Sequence, residues 1–123
     1  MDFKKIQKLQ NIFIDQTSSN TLKSKGQFFT PKKISIWMSK WIMKIDPKYL
    51  LDPSVGFGSL ISQFYNKKEI NITAIEKDKY IYTILKKNFK SNVIIYNKDF
   101  LKFNIKKKFD GIIANPPYIR FQR

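Results

Sequence analysis

Tyr49-Leu50-Leu51-Asp52-Pro53-Ser54-Val55-Gly56-Phe57-Gly58-Ser59-Leu60 is the stretch from which the rest of the chain can be laid out. A short apolar run ends in a carboxylate, a glycine-containing turn follows, and a helix from about Ser59 to Asn66 is expected after it. This is the first strand–turn–helix unit of a nucleotide-type α/β fold. Gly56 permits the sharp turn, and Gly58 lets the backbone approach a ligand or lets helix and strand pack closely. A bare Gly-x-Gly says little, but a strand before it and a helix after it give it meaning.

Downstream the unit repeats. Ile70 to Ile75 alternates and is rich in β-branched residues, which predicts a second strand, and it ends at Glu76, eighteen residues beyond Gly58. A carboxylate at that place can accept both hydroxyls of a ribose; taken alone it reads as a solvated strand end. Asp78 can cap a helix running to about Phe89, with Ile81, Ile84 and Leu85 facing inward. Val93 to Tyr96 reads as a third strand. Asn97-Lys98-Asp99-Phe100 then puts another carboxylate, beside an aromatic ring, just past a strand end. A lysine-rich loop, Lys102 to Lys108, leads into Asp110-Gly-Ile-Ile-Ala-Asn115-Pro116-Pro117-Tyr118. The apolar run Ile112 to Ala114 predicts a strand covered on both faces, which the two prolines force to end at Asn115.

Four strands joined by helical crossovers, the last returning beside the first, fit a sheet of order 3-2-1-4. That is the start of a Rossmann-like doubly wound α/β fold. Asp52, Glu76, Asp99 and Asn115 then share the carboxyl edge of the sheet, where open α/β sheets bind ligands. Three carboxylates on successive strand ends, with a glycine turn and an amide at the switch point, make a coherent site for an adenosine-containing ligand.

Upstream of the first strand the pattern is less specific. Phe3, Ile6, Leu9 and Phe13 recur at helical spacing over residues 3–14, as in a packing helix or a partner-docking arm. Residues 16–24 are polar and aperiodic and read as a loop. In Gly26-Gln27-Phe28-Phe29-Thr30-Pro31, Thr30 can cap a helix and Pro31 can occupy its first turn. That helix is expected to run to about Lys44, with an apolar face of Ile34, Trp37, Met38, Trp41, Ile42 and Ile45. Capping accounts for Thr30-Pro31 but not for two phenylalanines beside a glycine.

Composition narrows the chemistry. The 123 residues suit one domain, and 42% apolar with 15% aromatic content argues for a packed globule. The absence of Cys and His removes thiolate nucleophiles, disulfides, Cys/His zinc sites and imidazole bases, so catalysis must use carboxylates, amides, aromatics, lysines or a cofactor. A net charge of +15 suits a polyanionic partner. Of the 24 basic residues only Arg120 and Arg123 are arginine, and the lysines are scattered among Ile and Asn, so an AT-rich coding bias shares in that charge. No apolar run is long enough to cross a bilayer and no signal-peptide core follows the basic N-terminus, so a cytoplasmic protein is expected.

These residues resemble a known family, the adenine-specific DNA N6-methyltransferases, in the arrangement whose cofactor motifs precede the catalytic one. Gly26 to Pro31 resembles that family's leading cofactor motif, Asp52 to Leu60 its Asp-Pro-x-x-Gly-x-Gly loop, and Asn115 to Tyr118 its catalytic Asn-Pro-Pro-Tyr. The resemblance covers about residues 25–122 and rests on the order and spacing of the motifs together. It implies that residues 1–24 form a leading helix and loop and that 25–123 form the N-terminal part of a catalytic domain, without the later strands and target-recognition domain. It implies S-adenosylmethionine as cofactor, with Phe29 and Thr30 near its methionine part and Asp52, Pro53 and the Gly56 to Gly58 backbone beneath it. Glu76 would hold the ribose, and Asp99 and Phe100 the adenine.

The implied substrate is double-stranded DNA, with the target adenine flipped out because its N6 is not open to in-line attack inside a base pair. Asn115 Oδ1 and the Pro116 carbonyl would accept from the N6 amino group, Pro117 would hold the turn rigid, and Tyr118 would stack on the base. A side-chain amide presents the same planar NH₂ group, so protein-glutamine methyltransferases are an alternative. Their first loop usually resembles Asp-x-Gly-x-Gly-Ser-Gly, unlike Asp52 to Gly58. Cytosine C5 methylation is excluded by the lack of a Cys nucleophile. A non-catalytic remnant that binds cofactor or DNA is a further alternative. The expectation drawn from the resemblance is an N-terminal piece, truncated or split, with little activity until a complementing C-terminal segment pairs with its last strand.

Overall fold

The structure, a computed structural model, describes residues 1–24, 29–89 and 92–118, so Gly26, Gln27 and Phe28 of the leading motif lie outside the described residues. Four parallel strands form one open sheet in the order β3-β2-β1-β4, as the sequence predicts. The strands are β1 (Tyr49–Asp52), β2 (Asn71–Ile75), β3 (Val93–Tyr96) and β4 (Gly111–Ile112). β1 and β2 pair from Tyr49 with Asn71 through Asp52 with Ala74, which brings the strand ends that carry Asp52 and Glu76 to one edge. A core of aliphatic and aromatic side chains, among them Leu50, Ile72, Phe57, Phe64 and Leu85, sits against the sheet.

The helices follow local signals where a cap is present. α1 (Phe3–Gln16) starts at Asp2, whose carboxylate accepts from the Lys5 N–H, and it buries Ile6 and Phe13 in the same core as the strands. The segment expected as a loop over 16–24 contains a short helix, α2 (Ser19–Ser24). Ser18 Oγ accepts from the Thr21 N–H at 3.2 Å and Leu22 packs on the core, so a side-chain cap and one anchor offset a poor pattern. α4 (Lys79–Asn88) begins as predicted at Asp78, which accepts from the N–H groups of Tyr80 and Ile81. The helix expected over Ser59 to Asn66 is a 3₁₀ turn, Ile61–Phe64. Ile61 and Phe64, three apart, are both buried, and a three-residue period brings them onto one face.

α3 (Lys32–Ile42) departs most from expectation. Thr30 does not cap it: Pro31 stands at the cap position in an extended conformation, with no side-chain cap bond. The apolar face expected to be inward is largely outward. Ile42 is buried and Met38 half-buried, but Trp37 is 65% and Trp41 64% exposed, and Ile34 and Ile45 are exposed as well. The buried face carries Ser35 and Ser39. Their hydroxyls donate to the carbonyls of Pro31 (3.2 Å) and Ile36 (2.8 Å), so these small residues are buried with their polar atoms satisfied.

β4 is shorter than the expected Ile112 to Ala114, and it is not covered on both faces: Ile113 is buried, whereas Ile112 is 62% exposed. Among the described residues no helix is long and apolar enough to cross a membrane.

Candidate active site

The carboxyl edge of the sheet is built from the turn after β1. Val55 N–H donates to the Ile75 carbonyl at 3.0 Å, which folds the turn back over the end of β2. Gly56 and Gly58 take φ of +53° and +85°, the left-handed region that L side chains rarely adopt. A Cβ at Gly58 would also stand 2.8 Å from the Phe89 ring, whereas one at Gly56 would meet nothing within 4 Å among the described residues. The turn is therefore packed on one side and open on the other.

Asp52 lies beneath it, 1% exposed, its Oδ1 accepting from the Ser54 N–H at 3.1 Å. Burial pushes its carboxyl up to about 7, against the Ser54 hydrogen bond and with the Glu76 charge adding to the rise. Glu76 is buried too, and both its oxygens are engaged. Oε2 accepts from the Gly56 N–H at 2.9 Å and Oε1 from the Asp78 N–H at 2.7 Å. Burial raises the Glu76 pKa and these two bonds oppose the rise. Glu76 thus ties the glycine turn to the start of α4, a structural task that its position in the sequence did not announce. A carboxylate offers about four lone-pair directions, so these two bonds do not exhaust its acceptor capacity.

Asp99 lies farther along the edge. Its Oδ2 meets Lys77 Nζ at 2.9 Å, and its Oδ1 accepts from Leu101 N–H as the cap of a 3₁₀ turn, Phe100–Lys102. The Lys77 hydrogen bond is the main cause that holds its carboxyl below the usual range. Phe100 is exposed beside it.

At the other end, Asn115 is half-buried and Pro116, Pro117 and Tyr118 are exposed. Asn115 Nδ2 donates to Thr30 Oγ1 at 3.0 Å, and the Tyr118 hydroxyl donates to Asn115 Oδ1 at 3.2 Å. Phe29 sets its ring edge-on to Phe57 with centroids 5.4 Å apart, so the residue before Thr30 is fixed in the core.

One cleft gathers Phe29, Thr30, Gly56 and Asn115 from the expected set. Asp52 and Glu76 do not line it but accept from the N–H groups of Ser54 and Gly56, which do; Pro53 is half-buried beside Asp52, and Asp99 and Phe100 lie apart, near β3. Of the further lining residues, three are polar side chains to which the sequence reading gave no role: Gln10, Ser54 and Ser59. Gln10 is buried and donates to Ser59 Oγ at 2.9 Å. Its signal was present, since it is the polar residue that interrupts the stripe of Ile6 and Phe13 at helical spacing. Ser54 Oγ is buried with no hydrogen-bond partner among the described residues, in the wall of this cleft.

Comparison with known proteins adds to this geometry. Residues 6–121 match the profile of a family described as N-6 DNA Methylase. The chain is 42% identical over 103 residues to a type II methyltransferase, M.AccI, of Acinetobacter calcoaceticus, a match covering 78% of the chain and 18% of that protein. It is 33% identical over 94 residues to the type II methyltransferase M.CvrRI of Paramecium bursaria Chlorella virus XZ-6E, covering 76% of the chain and 24% of that protein. The chain thus spans less than a quarter of the length of these relatives. Among solved structures it is similar to coclaurine N-methyltransferase bound to N-methylheliamine and S-adenosylhomocysteine, with a TM-score of 0.56 and 19% identity over 85% of this chain and 34% of that one, a likeness in fold.

Proposed function

Because the chain belongs to the N-6 DNA methylase family, a family of enzymes, we propose that it carries the cofactor-binding and amide-presenting part of a site that methylates N6 of adenine in double-stranded DNA. In this reading residues 25–123 are the N-terminal part of the catalytic domain and 1–24 its leading segment. The observation that carries the proposal is the placement of Asn115, three residues beyond β4 and anchored through Nδ2 to Thr30 Oγ1, in the same cleft as Gly56. The Ser54 hydroxyl and the Gly56 face, both without a neighbour to meet them among the described residues, fit a polar ligand lying over the turn. S-adenosylmethionine, when bound, supplies an electrophilic methyl group on a sulfonium.

The residues of this chain do the rest. Asp52, Pro53 and the Gly56 to Gly58 backbone would support the ligand from below, Phe29 and Thr30 would wall its methionine part, Glu76 would accept from the ribose, and Asp99 with Phe100 would hold the adenine. Asn115 Oδ1 and the Pro116 carbonyl accept hydrogen bonds from the target amino group and stabilise the positive charge that develops on it. The prolines limit backbone drift on one side of Asn115, and Tyr118 offers its ring to a base turned out of the duplex. Calorimetric titration of the chain with S-adenosylmethionine tests this reading. Binding that an Asp52→Ala, Glu76→Ala double variant loses supports it, and equal heats from both proteins, each shown to be folded by circular dichroism, sink it.

The uncovered side of α3 and β4 belongs to the same proposal. Trp37, Met38, Trp41, Ile42, Ile112 and Ile113 line a groove of about 140 Å³, beside the edge of β4 that no strand pairs among the described residues. We infer that a further methyltransferase segment covers it, adding a strand to β4 and laying apolar side chains on the tryptophans. Such a segment suits the surface if it is apolar and acidic, whereas a second copy would set +15 against +15. Both tryptophans of the chain lie in this groove, so their fluorescence reports its state directly. Addition of the part of M.AccI outside the shared span should shift the emission to shorter wavelength, and Trp41→Asp should weaken that association by about 30-fold. An assembly that forms while the emission stays that of solvated tryptophan would place the contact elsewhere.

A further inference from the structure

Asn115 serves as an acceptor only while its amide oxygen, and not its nitrogen, faces outward. Turning the amide by half a rotation exchanges one acceptor for two donors at almost no steric cost, so its backbone position alone does not decide the chemistry. The backbone is well constrained, since a residue before proline is confined to the extended region. What remains to be fixed is the amide itself.

Two hydroxyls meet it from opposite sides: Thr30 Oγ1 at 3.0 Å from Nδ2, and the Tyr118 hydroxyl at 3.2 Å from Oδ1. They are not equivalent. A phenol is the more acidic donor and, with its lone pair drawn into the ring, the poorer acceptor; an alkyl hydroxyl is the better acceptor. Thr30 accepting and Tyr118 donating is therefore the favoured arrangement, and it turns Oδ1 away from Thr30.

The two partners also differ in how firmly they are held. Thr30 is 8% exposed and Tyr118 63%. Thr30 stands between Phe29, which packs edge-on against Phe57 at 5.4 Å and Phe13 at 6.3 Å, and Pro31, whose φ of −60° is set by its ring. Its hydroxyl is free of the capping task that its place before a helix suggests.

We propose that Thr30 is a positioning residue that sets the orientation of the Asn115 amide, while the exposed Tyr118 hydroxyl holds Oδ1 until the target amino group takes its place. This rests on the reading of Asn115 as the acceptor. It assigns Thr30 a task that requires no cofactor. A buried partner 85 residues away in sequence supplies preorganisation, so the amide need not be reoriented at the moment of reaction.

The test uses the side-chain amide signals of the chain in ¹⁵N–¹H spectra, with that of Asn115 identified by its loss in Asn115→Ser. In the unaltered chain the Asn115 Nδ2 protons should exchange with water about 10-fold more slowly than those of the exposed Asn11 and Asn66. Thr30→Val keeps the shape and removes the hydroxyl, and should bring the exchange to the rate of those two residues; Thr30→Ser should restore the slow rate. Fast exchange in the unaltered chain overturns the proposal with no variant needed, as does slow exchange that persists in a folded Thr30→Val. Neither readout involves methyl transfer. Slow exchange with no cofactor binding would leave the positioning role standing and remove the proposed function, and binding with fast exchange would do the reverse.

Discussion

Asn115→Ala is expected to lower adenine N6 methylation by about 10³-fold in any assembly of this chain that transfers methyl groups, the loss typical of removing one positioned hydrogen-bond partner of a developing charge. The reason is local. In the proposed reading the Asn115 amide oxygen, which accepts from the Tyr118 hydroxyl in the free chain, is the side-chain acceptor at the cleft, and no His or Cys exists in the chain to substitute for it. Asn115→Asp keeps an acceptor but loses the Nδ2 donor that bonds Thr30. It should fall between the two, roughly 10- to 100-fold below the unaltered protein. The measurement is the rate of labelled methyl transfer to duplex DNA at saturating cofactor. If the Ala variant keeps a rate within tenfold of the original, Asn115 is not the acceptor. An equal loss in kcat and kcat/KM would place its contribution in the transition state.

The second large effect is a dependence on pH that comes from Asp52. Its folded pKa of about 7 lies above the ordinary carboxylate value of 3.8, so the fold prefers the protonated form. The stability this provides is fully present below about pH 4 and is lost as pH rises through 7, on the order of 4 kcal/mol across that span. Glu76 shifts in the same direction, also through burial. Asp99 and Asp110 shift downward and act only at more acid pH, outside this window. The chain alone should therefore melt at lower temperature at pH 8 than at pH 5.5, and Asp52→Asn should remove most of that difference.

Cofactor binding should run the other way. S-adenosylmethionine carries positive charge, which favours ionised Asp52, so its affinity should rise by up to about tenfold per pH unit below 7 and level off above it, with release of up to one proton. Calorimetry at pH 6 in buffers of different ionisation heat reads that proton. An affinity that stays flat from pH 5.5 to 8, with no proton released, would mean that Asp52 does not face the ligand's charge.

Much of this molecule could be read along the chain because the signals are local. Alternating and β-branched runs marked the strands and Asp78 marked the start of α4, whereas the prolines did not mark the end of the last strand, which stops at Ile112. From these the parallel order 3-2-1-4 followed, and with it the sharing of one edge by Asp52, Glu76 and Asn115. The glycine turn was legible for the same reason, as positive φ at Gly56 and Gly58 is a property of single residues.

Helical spacing identified an apolar stripe on α3 but not whether anything covers it. Periodicity is a property of one element and burial of two, and the buried face proved to be the one with Ser35 and Ser39. Thr30 stood at a capping position, yet its hydroxyl is used by a residue from β4's far end. Gln10 reaches Ser59 across 49 positions and Glu76 reaches the Gly56 N–H across 20. The chain alone thus determined the strand order and which residue types stand at the strand ends. Tertiary structure alone decided which of their polar atoms are already bonded and which are left for a ligand, because a hydrogen bond depends on distances of about 3 Å between groups whose separation along the chain says nothing about their meeting.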